Sequence, residues 1–136
     1  MKQILIVCVS FVVVITSVKA ETFREYRNRV EVMSERVIVP KIFSGDGGLD
    51  NLAAVIATHD WCRQGYKNIL EHDNTMGEGE RAGRVLLQML HEMKFKEYWN
   101  NARKLSPNSW DYVYRRYNYW LDHLENGGWI TFRDMR

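Results

Sequence analysis

The chain has 136 residues, with 19 basic and 17 acidic side chains, 46% apolar residues and two cysteines. That length suits one domain. So slight a charge excess gives no support to nucleic-acid binding or to general attraction toward anionic membranes, which both need strong positive potential.

At the amino end, Lys2 leads into an apolar run over residues 4–15, and Thr16-Ser17-Val18-Lys19-Ala20 follows. This layout predicts a secretory signal peptide over residues 1–20, cut between Ala20 and Glu21. The run of twelve is too short for a membrane span, which wants ~20 apolar residues, and no later run stops transfer, so no membrane insertion is expected. The rest, residues 21–136, then forms a single secreted helical domain. Lys2 and Lys19 leave with the leader, and the mature chain carries 17 charges of each sign. Cys8 leaves too, so Cys62 has no internal disulfide partner. Its options are a buried small hydrophobe, which its helical phase favours, an intermolecular disulfide, or a reactive thiol. No Asn-x-Ser/Thr sequon occurs.

Helices are predicted over residues 22–39, 49–73, 79–105 and 107–126, with a tail over 127–136. In the first, Phe23, Tyr26, Val30, Met33 and Val37 alternate spacings of three and four, a stripe only a helix makes. Thr22 is its N-cap and Pro40 ends it, before the flexible Ser44-Gly45-Asp46-Gly47-Gly48. In the second, Leu52, Val55, Ile56, His59, Cys62, Tyr66, Ile69 and Leu70 face a core, Trp61 points to the other side, and Gly65 invites close approach by a neighbour. The third places Ala82, Val85, Leu86, Met89, Leu90 and Met93 on one face, and then Phe95, Tyr98, Trp99, Ala102 and Leu105 half a turn away. Either it breaks near residues 94–96 or it continues, covered first on one side and then on the other; the absence of a breaker favours a continuous, bent helix. Ser106-Pro107 caps the fourth, whose inward face is Trp110, Val113, Tyr114, Tyr117, Trp120, Leu121 and Leu124. Asn126-Gly127-Gly128 closes it, and the tail with Trp129 and Phe132 folds back. The fold class is all-α, an antiparallel bundle of about four helices.

Chemistry is sparse. His59, His72, His91 and His123 are scattered, and Phe95 stands where a zinc helix beginning His91-Glu92 would need its second histidine. No metal, cofactor or catalytic residue is expected. A His59/Cys62 thiolate pair lacks an orienting group, and Glu78/Glu80 and Asp122/Glu125 read as solvated charge. Tyr112 and Tyr119 lie seven residues apart on the outer face of the fourth helix, with Arg115, Arg116 and His123 beside them. Tyr and Arg are the residue types of protein-binding hot spots; the simpler reading stacks Arg on Tyr locally. Arginines outnumber lysines twelve to five in the mature chain, and Arg24, Arg27 and Arg29 suit an acidic protein partner.

The leader, mature length, helical pattern and the segments Asp60-Trp61-Cys62, Glu97-Tyr98-Trp99 and Trp110-Asp111-Tyr112 together resemble the anophensin/albicin family of anopheline mosquito salivary proteins. The resemblance spans the mature chain through overall plan, and it transfers no functional residue. It implies a protein that binds a host plasma protein or complex, either the alternative complement pathway convertase or the contact system that generates kinin. The leading expectation is therefore secreted, non-catalytic inhibition of host defence. The alternative is an extracellular carrier holding a small apolar ligand between helices, lined by Met33, Met89 and Met93. Balanced charge and matched stripes speak against a membrane-active protein.

Overall fold

A computed structural model describes residues 21–38 and 48–132. Residues 1–20, where a leader is expected, Pro40, most of the glycine-rich connection and the last four residues lie outside them. Four helices follow in order: α1 (Phe23–Ile38), α2 (Gly48–His72), α3 (Glu78–Arg103) and α4 (Pro107–Glu125). Among the described residues there is no strand.

Local sequence explains each boundary. The Glu25 amide donates to Thr22 Oγ1 at 3.1 Å while the Thr22 hydroxyl donates to Glu25, which caps α1. Ser106 Oγ accepts from the Ser109 amide, and Pro107 takes the first turn of α4, where no amide donor is needed. At the other end Gly127 adopts φ +90°, and the Gly128 amide reaches back to the His123 carbonyl at 2.8 Å. Only glycine takes that left-handed step without strain.

The bundle is arranged around α2, which packs on each of the other three helices, whereas α3 and α4 meet over a short stretch. From Ala53 to Cys62 every residue of α2 is buried. Burial on all sides corrects the expectation that Trp61 faces outward: it is 4% exposed, lying edge-on to Tyr26 and under the Arg29 guanidinium, 4.4 Å from its ring centre. Gly65 does admit a close neighbour. A Cβ there would lie 2.7 Å from a Val30 methyl on α1.

The third helix is continuous through residues 94–96, but its first stripe does not enter the core. Ala82 is exposed, as are Val85 (39%), Leu86 (66%), Met89 (60%) and Met93 (58%), while Leu90 is half-buried. A helix offers one line to its neighbour, and Phe95, Tyr98 and Ala102 claim it. Continued toward the amino end, that line runs through His91, Leu87 and Arg84, and these face α1 and α2 instead. Three further aromatic or aliphatic side chains expected inside are partly outside: Phe23 at the start of α1, Leu105 in the connection, and Tyr114. Tyr114 lies on the outside of an aromatic cluster, edge-on to Trp99 and tilted against Trp110.

The tail does return to the body. Ile130 is buried with Val30, Met33 and Leu124, and Phe132 packs on the same cluster.

Candidate functional site on the outer face of α4

The residues singled out on α4 form one surface with unequal freedom. Tyr112 is 39% and Tyr119 51% exposed. Between them Arg116 is held in place: its Nε donates to Asp50 Oδ1 on α2 at 2.7 Å, and its guanidinium stacks 4.2 Å over Tyr119 and 5.3 Å over Trp120. Trp120 Nε1 donates to the same Asp50 oxygen. Partial burial acts to raise the Asp50 carboxyl, yet these two donors outweigh it and bring it below its ordinary value. The hydrogen bond it donates to Asp50 likewise lifts Arg116 further into its charged form. Arg115 reaches Asp111 one turn back, both well exposed. His123 stacks flat on Tyr119 and bonds the Trp129 carbonyl at 3.0 Å. The outcome is a rigid patch with two tyrosines on display and a cation fixed between them. Arg116 lies on this face as expected but is half-buried, because Asp50 draws it against the bundle.

The arginines of α1 are not a surface cluster. Arg29 is 2% exposed, donates to the Leu124 and Gly128 carbonyls at 2.7 and 2.9 Å, and clasps Glu21 with two nitrogens. It closes the carboxyl end of α4, where the helix presents unsatisfied carbonyls. Arg27 pairs with Asp73 at 2.5 Å, and the hydrogen bonds from Thr75 and Arg27 hold that carboxyl down to about 2. Of these three only Arg24 stands exposed.

Cys62 is fully buried, and burial pushes its thiol well above the ordinary range. A solvent-facing disulfide and a ready thiolate are both ruled out by that position. His59 turns elsewhere: its Nδ1 meets His91 Nδ1 at 2.8 Å, and His91 Nε2 meets Ser34 Oγ at 2.6 Å. Desolvation drives both imidazoles to the neutral form. A second buried polar group, Asp60, accepts from Tyr117 at 2.5 Å and from Arg63 at 2.7 Å, tying α2 to α4. Both were missed in the sequence. His91 could have been found by continuing the Phe95 line back one turn; the Asp60 partnership has no local signal, because Tyr117 is 57 residues away.

A cleft of about 650 Å³ opens between α1 and α3, lined by Ser34, Ile38, Tyr66, Arg84 and Leu87 with Glu31 at its edge. The methionines expected to line a cavity do not: Met33 is in the core, while Met89 and Met93 are on the outside. No group of three metal-ligating side chains occurs among the described residues, and none of their helices is long and apolar enough to cross a membrane.

Comparison with protein-family models, curated proteins and solved structures finds no match in any of the three.

Proposed function

We propose that this chain is a secreted, non-catalytic binding protein that inhibits a host plasma system by docking through the outer face of α4. One observation carries the reading: Tyr112 and Tyr119 are exposed on a surface already ordered by the Asp50–Arg116–Trp120 contacts. Preordering lowers the entropy lost on binding, and exposed tyrosines with a fixed guanidinium match the make-up of hot spots. The resemblance to the anophensin/albicin family supports the alternative complement convertase or the contact system as the target. Tyr112→Ala with Tyr119→Ala should cut potency in convertase or kallikrein assays at least about tenfold, equivalent to 1.4 kcal/mol, with melting temperature unchanged. Unaltered potency in whichever assay responds would remove this face. Arg116→Ala is the poorer test, since it also breaks the bond to Asp50.

A second reading, a carrier of a small apolar ligand, rests on the α1–α3 cleft, whose volume falls in the range of small-molecule sites. Native mass spectrometry of the secreted protein would show a bound mass; a uniformly ligand-free sample would count against it.

A further inference from the structure

We propose that the exposed stripe of α3 is a self-association surface, joining two copies of this chain antiparallel about a twofold axis beside Leu86 and Met89. The fold does not need this stripe. The opposite side of α3 already supplies Leu87, His91, Phe95, Tyr98 and Ala102 to the body, so Ala82, Leu86, Met89 and Met93 are left facing solvent together.

Spacing points to another helix as the cover. Gly79, Ala82, Leu86, Met89, Met93 and Lys96 follow one another at three, four, three, four and three residues, which is the seam that packs helix on helix. Paired antiparallel, the seam matches itself by size. Leu86 meets Met89 of the second copy, small Ala82 meets bulky Met93, and Gly79 leaves room for the stem of Lys96. Such isologous pairing repeats every contact twice.

Charge selects the direction. Glu78 flanks the seam at its amino end, and Lys96 and Arg103 occupy the same side of the helix toward its carboxyl end. Antiparallel pairing brings Glu78 of each copy beside Lys96 of the other. Parallel pairing would oppose Glu78 to Glu78 and Lys96 to Lys96. A membrane is the poorer cover, because Glu78, Glu92 and Glu97 border the stripe and the mature chain has no positive excess. With Cys62 buried, the association is non-covalent. Four apolar seam positions make it a small interface, of the weak and reversible kind.

Sedimentation equilibrium on protein recovered from the medium of secreting cells tests the proposal. The average mass should rise with concentration toward twice that of the chain, with or without reductant. Met89→Glu should hold the protein at monomer mass while its circular dichroism and melting at high dilution stay those of the parent. Glu78→Lys and Lys96→Glu should each weaken association about fivefold to tenfold, roughly 1–1.4 kcal/mol, and the two combined should restore it. A monomer at every concentration overturns the proposal, as does a dimer indifferent to Met89→Glu. Failure of the combined exchange to restore association overturns the antiparallel arrangement. None of these readouts involves α4, so the result is independent of the binding role assigned to Tyr112 and Tyr119.

Discussion

The second and third helices are nearly equal in length, 25 and 26 residues, yet they stand in opposite relation to solvent. In α2 a run from Ala53 to Cys62 is buried on every side, polar Thr58, His59 and Asp60 included. In α3 only His91 and Ala102 are fully buried, while four large apolar side chains remain outside. Apolar content therefore does not decide which helix becomes the centre. Neighbour size does: Ala53, Ala54 and Ala57 let other helices come close to α2 from several directions, and the polar groups there are affordable because each finds a buried partner.

The contrast can be broken most forcefully at Asp60. Asp60→Ala leaves the Tyr117 hydroxyl buried without its acceptor and should lower unfolding free energy by about 3 kcal/mol in urea titrations. A loss under about 1 kcal/mol would mean that water reaches this side of α2.

Acid should act next. His59 and His91 are neutral in the folded chain, titrating at about 3 and about 4, against 6.5 when free. As pH falls below about 6.5 the unfolded chain takes up protons that the folded chain refuses, so stability is complete above that pH. It should decline progressively as pH falls from about 6.5 toward about 4. Urea midpoints equal at pH 7 and pH 5 would show that the two rings are not kept neutral by the core.

The smallest effect should come from α3. Leu86→Ser, measured at high dilution where copies are apart, should change stability by less than about 0.5 kcal/mol. A loss above about 2 kcal/mol would return the stripe to the core.

Helix number and most helix ends were legible because they depend on neighbours in sequence: the Thr22 and Ser106 caps, Pro107, and Gly127. Seam residues of α2 and the burial of Cys62 followed from period alone. The orientation of α3 did not, since two stripes half a turn apart both qualify as apolar and only the tertiary line through His91 and Phe95 chooses between them. Trp61 failed for a related reason: a helix enclosed on all sides has no outward face for its periodicity to report. On α4 the display of Tyr112 and Tyr119 was readable from phase, but the tether on Arg116 comes from Asp50, 66 residues earlier.

Arg29 has a consequence for how the molecule comes apart. Its side chain grips Glu21 before α1, the Leu124 carbonyl in the last turn of α4, and the Gly128 carbonyl at the start of the tail. The start of α1, the end of α4 and the tail are thereby fastened at one guanidinium, with Arg36 adding a second bond from α1 to the Ile130 carbonyl. Fraying at one of these elements removes partners from the others, so amides of α1 and of the last turn of α4 should open to exchange as one unit, and a cut in the tail would be felt first in α1.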